Sequence, residues 1–402
     1  MVDSSWTISH ELSTTNYQLS TTNYQLSTMD APHLHIVTHN VPWPADHGGV
    51  TDLFYKLKAL HRLGVSIHLH CFTQGRTPQE ELNKYCATVN YYPRKNNISR
   101  FSFRLPFIVN SRVNEALIND LQKDNYPILL EGIHTTYYLW TGELNNRTVV
   151  VRLHNAEFEY YRQLAKQETG LLKKLYFLNE SRLLKKYEKS IANKALFLAV
   201  SKQDVERYQQ QFKAAAIDHL PVFLPYTLAV GKEGKGCFCL YHGNLAINEN
   251  EQAATWLLQN VFTKTTIPFV IAGKNPSEKL QRLAHVHPHT CLVANPTDAA
   301  LQDLIAKAQL HVLPSFNTTG VKLKLLNALF NGRHCLVNPA AVVGSGLESY
   351  CHTATDASSF QQKITSLYEL PFTEQELQER QGLLQHEYNN EVNAKKLMTF
   401  LQ

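Results

Sequence analysis

The chain has 402 residues, of which 44% are hydrophobic and 18% charged, and its formal net charge is +5. This length exceeds the size at which a single hydrophobic core keeps growing, so two domains are expected. The composition excludes a disordered chain, and no apolar run approaches the roughly 18 residues that a membrane-spanning helix needs.

The first 28 residues repeat a polar heptapeptide. The sequence STTNYQL at 13–19 returns at 20–26, and only Leu19 and Leu26 recur as aliphatic residues. Such a segment has too little apolar surface to form a core, so we interpret 1–28 as a disordered tail that is not part of the fold. We expect the folded chain to begin near Met29, just before the first strand-like run.

Short β-rich runs then alternate with helical patterns, which is typical of parallel sheets built from β-α-β units. The runs in the first half are 33–40, 65–72, 88–93, 126–133, 147–155 and 195–201. After a linker at 221–236 that is rich in proline and glycine, the runs are 237–243, 267–273, 290–296, 310–315 and 334–338. The restart of the alternation predicts an α/β protein with two wound domains, 29–225 and 226–385, and a C-terminal helix at 386–402 that could cross back to the first domain.

Cysteine usage and charge distribution add two expectations. Seven cysteines without any C-x-x-C motif favour a reducing cytoplasm, and we interpret Cys237 and Cys239 as buried thiols on one strand. Residues 29–230 contain 25 Lys and Arg against 18 Asp and Glu, whereas 231–402 contain 14 of each. Positive charge clusters at 91–112 and 171–189, so the first half is expected to meet an anionic partner, with a solvated basic face as the alternative.

Polar residues at the carboxyl ends of the predicted strands are the first candidates for a ligand site, because open parallel sheets bind ligands there. Gly48 and Gly49 precede a helix after the first strand, and two glycines let backbone N–H groups approach a phosphate. The fifth strand ends in His154, followed by Asn155 and Glu157. The alternatives are an ordinary turn and a structural histidine.

The second half has similar positions. Gly243 and Asn244 end its first strand, and Asn250 is predicted to cap the next helix. Lys274 ends the following strand beside a predicted helix N-terminus, where a cation suits a diphosphate. A solvated lysine is the alternative.

Two lysines stand near the start of the helix predicted within 313–338. If this helix begins near Val321, Lys322 and Lys324 lie in its first turn, where cations are unfavourable against the helix dipole. A bound phosphate would supply the missing negative charge. Asn327 follows Lys324 by three positions, close to the same face. Two exposed lysines are the alternative.

These motifs, taken in order, resemble the retaining glycosyltransferases of group 1 (family 4), which have the GT-B fold. The similarity spans nearly everything from Met29 onward. It rests on the loop before Gly48 and Gly49 and on four further motifs: R-x-H-N-x-E after the fifth strand, AVSKQD after the sixth, HGNL at the start of the second half, and the G-x-x-x-K-L-L-x-A-L-x-x-G helix.

The resemblance implies two Rossmann-like domains whose parallel sheets face each other across an inter-domain cleft. The C-terminal domain would bind a nucleotide-sugar donor and the N-terminal domain an acceptor, with His154 and Lys324 as catalytic residues. The donor-binding residues would be Gly48, Gly49, Gly243, Asn244, Lys274, Thr319, Gly320 and Asn327. Neither a metal nor a cofactor would be needed, because lysines and helix dipoles can stabilise the departing diphosphate.

The chain departs from this family at a pair of glutamates eight residues apart, which align with Thr319 and Asn327. The second glutamate normally accepts hydrogen bonds from the ribose hydroxyls. Asn327 keeps one carbonyl acceptor but has no charge, and Thr319 offers only a hydroxyl. The donor contacts are therefore expected to differ from those of the family.

The leading hypothesis is a cytoplasmic transferase that moves a hexose to a glycan or lipid-linked acceptor with retention of configuration, in cell-surface polysaccharide or glycolipid synthesis. Peripheral contact with an anionic membrane is open, and no nucleic-acid partner is expected. The alternative is a non-catalytic nucleotide-sugar or glycan-binding protein derived from such an enzyme. A dinucleotide-dependent oxidoreductase is excluded because the chain lacks the G-x-G-x-x-G fingerprint.

Overall fold

The computed structural model describes residues 31–45, 48–97 and 101–401. Residues from Pro32 onward form one compact unit, which contains two parallel β-sheets. The predicted tail at 1–28 lies outside the described residues.

The strands of the described residues fall into two groups along the chain. Those of the first group are β1 (His33–Thr38), β2 (Ser66–Thr73), β3 (Thr88–Pro93), β4 (Ile128–Glu131), β5 (Val149–Leu153), β6 (Leu196–Ala199) and β7 (Ile217–His219). Those of the second are β8 (Cys239–Asn244), β9 (Phe269–Lys274), β10 (Thr290–Ala294), β11 (Leu310–Val312), β12 (His334–Val337) and β13 (His352–Thr353).

Helices connect these strands. In the first half they are α1 (Gly48–Arg62), α2 (Phe107–Asn110), α3 (Glu115–Leu121), α4 (Tyr137–Thr141), α5 (Glu157–Gln167), α6 (Leu171–Ile191) and α7 (Lys202–Phe212). In the second half they are α8 (Asn248–Trp256), α9 (Glu278–Ala284), α10 (Asp298–Lys307), α11 (Leu323–Asn331), α12 (Pro339–Val342), α13 (Ala357–Glu369), α14 (Glu374–His386) and α15 (Asn390–Thr399).

Both sheets are doubly wound, as the alternation of strands and helices predicts. The first has the strand order β3-β2-β1-β4-β5-β6-β7 and the second β10-β9-β8-β11-β12-β13, and neighbouring strands are parallel throughout. Each predicted run overlaps one of the observed strands, and β2, β8 and β9 extend one residue beyond their runs. The short edge strands β7 and β13 were not predicted, because neither includes an extended apolar run.

Helices cover both faces of the first sheet, so its central strands are buried on both sides. Every residue of β4 and β5 is buried, as expected for parallel strands between two helical layers. Successive residues of β4 point to opposite faces of the sheet and pack in different cores. Leu129 packs in the core that includes Leu34 and Phe54, whereas Leu130 packs in the one that includes Val37.

The second sheet has its own large core, in which the strands pack against α8, α11 and α13. Cys239 lies in this core, but Cys237 is exposed and precedes β8, so the prediction that both thiols are buried is wrong for Cys237. Because Cys237 lies outside the strand, the alternation that would bury it does not apply.

The last helix packs on the first half of the chain. Ala394 and Leu397 of α15 are buried in the same core as Leu57 of α1. Just before this helix enters the core, the Asn390 side chain donates to Leu224 O at 2.7 Å and accepts from Leu224 N at 2.9 Å. The chain end is therefore hydrogen-bonded to the linker that leads into the second sheet.

Candidate functional site

The two halves approach each other where β5 and β11 end. Gly320, in the loop between β11 and α11, has a φ of +62°, and a Cβ at this position would clash with Asn155 Oδ1 and lie 3.4 Å from His154 O. Glycine is therefore needed for both the backbone conformation and the close approach. This contact places Gly320 directly against the segment that follows β5.

The glycine pair at the start of α1 lies at the same junction. A Cβ on Gly48 would lie 3.7 Å from Leu323 Cδ1 at the start of α11, and a Cβ on Gly49 would lie 3.7 Å from His39 Nε2, just after β1. The structure thus places Gly48 beside the first residue of α11 and Gly49 beside His39.

His154 is held by two buried carboxylates of the first half. Its Nε2 atom lies 2.9 Å from Glu131 Oε2, and its Nδ1 atom lies 3.9 Å from Asp52 Oδ2. The side chain of His154 is 14% exposed, whereas those of Glu131 and Asp52 are at most 1% exposed. The imidazole is therefore partly exposed to solvent on one side and contacts a buried acidic pair on the other.

A lysine lies between the two carboxylates. Lys56 Nζ is 2.6 Å from Glu131 Oε1 and 3.0 Å from Asp52 Oδ2, and the Lys56 side chain is 1% exposed. Burial alone would raise the pKa of both carboxyls. Lys56 and His154 together, with Arg152 for Asp52, outweigh burial, so each pKa lies below its ordinary value. Although Asp52, Glu131 and His154 resemble a ligand set for a metal, the Lys56 ammonium occupies the cation's place and the set does not fit a metal.

Arg152 completes this network from the strand that carries His154. Its guanidinium lies 3.4 Å from Asp52 Oδ1 and donates to the carbonyls of Leu220 and Pro221. The backbone N–H of Phe223 also donates to Asp52 Oδ1, at 2.7 Å. Two carboxylates, one lysine and one arginine therefore balance in charge when His154 is neutral.

Of the residues in this network, only His154 was predicted from the sequence. A signal was available for Glu131, which ends the otherwise apolar run ILLE at the carboxyl end of a strand. Asp52 and Lys56 were harder to find, because they stand four residues apart within a helix and read as an ordinary surface ion pair.

On the other side of the cleft, three polar side chains connect β8, α8 and α11. Lys324 Nζ donates to Tyr241 OH at 3.0 Å and to Asn250 Oδ1 at 2.9 Å, and Asn250 Nδ2 donates to Asn244 O at 2.9 Å. Gly243 adjoins them, since a Cβ there would lie 3.4 Å from the Asn250 amide. The predicted residues Gly243, Asn244 and Lys324 therefore belong to one bonded cluster.

Asn250 is not the helix cap that the sequence suggested. The N-cap of α8 is Ile247, whose backbone is extended, and Asn250 is the third residue of the helix. Its amide is needed elsewhere, because it bridges Asn244 and Lys324. Asn250 therefore does not cap the helix but links two predicted site residues, Asn244 and Lys324.

The helix α11 begins two residues later than expected. Lys322 is its N-cap and Leu323 its first residue, so only Lys324 lies in the first turn. Lys322 Nζ bonds to the carbonyl of Thr319 and lies 3.5 Å from that of Gly320. The two lysines thus have different partners, with Lys322 holding the loop and Lys324 facing β8 and α8.

Both lysines titrate below the usual range for lysine. Burial lowers the pKa of Lys324 to about 7, with a further contribution from the charge of Lys322. Burial also lowers the pKa of Lys322 to about 8, although the carboxylates of Glu249 and Asp204 oppose the shift. A polyanion bound here would favour the charged form of both groups.

The two positions that align with the family glutamates are already hydrogen-bonded. Thr319 donates to Asn317 Oδ1 through both its backbone N–H and its hydroxyl, each at 2.8 Å. Asn317 Nδ2 in turn donates to Glu249 Oε1 at 2.7 Å. A carboxylate from α8 therefore lies close to the position where the aligned glutamate is missing.

Asn327 and Lys274 flank this cluster. Asn327 Oδ1 accepts from Asn331 Nδ2 at 2.8 Å within α11, so one lone pair of the predicted ribose acceptor is used. Lys274 ends β9 and pairs in register with Asn244 of β8. It therefore stands one strand away from the Lys324 cluster, at the same edge of the sheet.

The chain is similar to known proteins over most of its length. No family model matches the chain. A curated relative, described as an uncharacterized 44.6 kDa protein in the cps region of Klebsiella pneumoniae, is 28% identical over 331 residues, which are 77% of this chain and 84% of that protein.

Solved glycosyltransferase structures match nearly the whole chain. The sucrose-phosphate synthase of Thermosynechococcus elongatus has a TM-score of 0.64 at 14% identity and covers 92% of this chain and 98% of its own. WaaG, a glycosyltransferase of lipopolysaccharide biosynthesis, has a TM-score of 0.61 at 12% identity, with 92% and 99% covered. The chain has the GT-B fold of glycosyltransferases. The fold class predicted from the sequence is confirmed.

A third GT-B structure records ligands. HepE of Anabaena, solved in complex with UDP and glucose, has a TM-score of 0.59 at 10% identity and covers 92% of this chain and 99% of its own. At this level of identity the likeness concerns the fold.

The buried network predicts a large difference between two neighbouring lysines of α1. Lys56→Met leaves Asp52 and Glu131 without their central cation, so we expect the free energy of unfolding to fall by about 3–5 kcal/mol. Lys58→Met is the matched control, because Lys58 is half-buried and lies over the rings of Phe54, Tyr55 and Tyr85; we expect a loss of about 1 kcal/mol. Denaturant titration measures both, and equal losses would contradict the role assigned to Lys56.

Proposed function

We propose that the chain is a retaining hexosyltransferase that uses a nucleotide sugar and acts on a glycan or lipid-linked acceptor. The observation that carries the proposal is the junction at Gly320, where the start of α11 meets the segment that holds His154. A donor bound by the second half would therefore present its sugar to a histidine of the first half. The acceptor would enter from the side of the first half.

The diphosphate is proposed to lie at the N-terminus of α11. Backbone N–H groups at a helix start and a lysine in the first turn both favour an anion. Lys324 supplies that lysine, and the N–H groups of Gly48 and Gly49 begin α1 on the opposite side. The bound UDP in HepE, a neighbour of the same fold, supports a nucleotide as ligand.

The reaction is proposed to proceed on one face of the sugar. The bond between C1 and the leaving phosphate oxygen breaks, the bond between C1 and the acceptor oxygen forms, and the leaving phosphate takes the acceptor proton. With Nε2–H donated to Glu131, His154 keeps a lone pair on Nδ1 that can accept a hydrogen bond from a hexose hydroxyl. The buried network would hold the ring in this tautomer.

The cellular role is proposed from two neighbours. WaaG takes part in lipopolysaccharide biosynthesis, and the Klebsiella relative is encoded in a cps region. Both agree with the synthesis of a cell-surface polysaccharide or glycolipid at the cytoplasmic side of a membrane. No metal or cofactor is required in this proposal, because Lys324 and the helix N-termini would stabilise the leaving group.

The first test compares transfer with binding. Thermal shift with UDP-, GDP- and ADP-sugars identifies the donor, since a ligand of the folded state raises the melting temperature. We expect turnover of that donor to fall at least about 100-fold in His154→Ala, as for loss of a positioned polar group at the reacting sugar. The dissociation constant for the nucleoside diphosphate should stay unchanged.

His61→Ala is the control, because His61 is an exposed histidine at the end of α1. It should leave turnover and binding at wild-type levels. A wild-type protein that binds the donor tightly but never consumes it, with any acceptor offered, would favour the non-catalytic binding protein instead.

The second test separates the two lysines. Lys324→Met should weaken nucleoside diphosphate binding about ten-fold or more, because a charge-assisted hydrogen bond contributes about 1.5–3 kcal/mol. Lys322→Met should change the affinity less, since Lys322 bonds to loop carbonyls. Titration calorimetry at one pH measures both, and equal losses would refute the proposed position of the diphosphate.

The same titrations have a predicted pH dependence. In the free protein the pKa of Lys324 is about 7, and a bound diphosphate would raise it. The affinity should therefore be highest below pH 7 and fall as the pH rises from 7 toward the raised value. Lys324→Met should lose most of this dependence.

Contact with an anionic membrane is proposed for α6. Leu171, Leu172, Leu175 and Leu178 are exposed along its first two turns, with exposed Lys173 and Lys174 among them. An apolar stripe among lysines is typical of a helix that lies on an anionic lipid surface. Among the described residues, no helix combines the length and the apolar character that crossing a bilayer requires.

Vesicle sedimentation tests this surface. The protein should bind vesicles rich in phosphatidylglycerol, and a double change of Leu172→Glu and Leu175→Glu should abolish binding. Leu228→Glu, at an exposed leucine outside α6, is the control and should bind normally. Equal binding by all three proteins would exclude α6 as the contact.

A further inference from the structure

A second group of polar side chains lies at one edge of the second sheet. His334 begins β12, and His352 begins β13. Because His352 pairs in register with Leu336, two residues after His334, the two histidines lie on the same face of the sheet. Glu376, in the first turn of α14, reaches the same point.

The hydrogen bonding of His334 leaves one nitrogen without a proton. Its Nε2 atom lies 3.1 Å from Leu370 O, and because a carbonyl only accepts, Nε2 carries the hydrogen. Nδ1 therefore has a lone pair. It is fully buried and has no hydrogen-bond partner among the described residues.

A carboxylate oxygen, which is also an acceptor, lies close to this lone pair. Glu376 Oε1 lies 3.4 Å from His334 Nδ1. Two acceptors this close repel each other unless a cation lies between them.

Both groups are oriented by a second partner. Glu376 Oε2 accepts from the backbone N–H of Thr373 at 2.9 Å and from its hydroxyl at 2.8 Å, in the capping box of α14. His334 is fixed by the Leu370 carbonyl. Outer partners of this kind are typical of metal ligands, because they fix the tautomer of a histidine and the direction of a carboxylate.

His352 supplies a third ligand atom. The ligand atoms of His334, His352 and Glu376 all lie within 4.8 Å of one another. Arg380 and Lys363 oppose a cation electrostatically, but the guanidinium of Arg380 is bonded to the carbonyls of Leu329, Gly332 and Arg333.

We propose that His334, His352 and Glu376 bind a divalent transition-metal ion of the zinc class. Two imidazoles and one carboxylate match the preferences of zinc, with water as a fourth ligand. Ligand atoms on tetrahedral zinc are about 3.4 Å apart. His334 Nδ1 and Glu376 Oε1 already have this spacing, and His352 must approach them by at most about 1.4 Å. His352 and Glu376 are partly exposed and can make that movement.

The position of the site indicates a structural role. His334 is the first residue of β12, whereas the cleft lies beyond the carboxyl ends of the strands. A bound ion would join β12, the edge strand β13 and α14. This inference is independent of the proposed transferase activity, because none of the three residues belongs to the cleft.

Zinc binding to chelator-treated, desalted protein tests the proposal. Calorimetry with ZnCl₂ should show one site, and the melting temperature should rise with zinc. His352→Gln and Glu376→Gln should each weaken zinc binding at least about ten-fold. Both positions are partly exposed, and a glutamine at position 376 can keep the capping box, so circular dichroism should show folded proteins.

The control is His287→Ala, in the run HVHPH at 285–289, which could bind zinc adventitiously. It should leave the single site intact. The proposal is overturned if His352→Gln and Glu376→Gln bind zinc like the wild type, or if His287→Ala removes the binding. Cobalt(II) adds a spectroscopic check, since ligation by two histidines and a carboxylate should give visible absorption bands that are lost in His352→Gln.

Discussion

The buried ammonium of Lys56 is the interaction on which the first half of the cleft depends. It lies between Asp52 and Glu131, which belong to α1 and β4, and these carboxylates in turn hold Arg152 and His154 at the end of β5. Charges buried this deeply are tolerated only when each one is paired and hydrogen-bonded. The network therefore joins three elements and determines where the His154 ring can lie.

In the second half, a smaller set of hydrogen bonds fixes the position of Lys324. Lys324 is held by Tyr241 and Asn250, and its burial lowers its pKa to about 7, so that its charge at neutral pH depends on the ligand. Gly320 allows this half to touch the segment of His154 without a side chain in between. In the proposed function, the paired histidine and the responsive lysine would act on one donor from the two halves of the chain, which suits the transfer of a group from a diphosphate.

Much of the fold could be predicted from the sequence, because parallel strands buried on both faces are nearly continuous apolar runs, as in ILLE and VVVRL. The strand ends then indicated where polar residues such as His154 and Lys274 would lie, whereas Lys324 was expected in the first turn of a helix. The Lys56 network could not be predicted, because it depends on contacts between distant parts of the chain: Lys56 and Glu131 are 75 positions apart, and Asp52 and Arg152 are 100 apart. The predictions for Asn250 and for the start of α11 were wrong for a related reason. Tertiary contacts overrode the local capping signals.

The most direct measurement is a crystal structure of the protein with the nucleoside diphosphate of its preferred donor. The account predicts that the diphosphate lies at the N-terminus of α11, with a phosphate oxygen within about 3 Å of Lys324 Nζ. The remaining space toward His154 should accommodate one hexose. A diphosphate bound away from α11, or a Lys324 that keeps its bonds to Tyr241 and Asn250 and does not touch the ligand, would contradict the account.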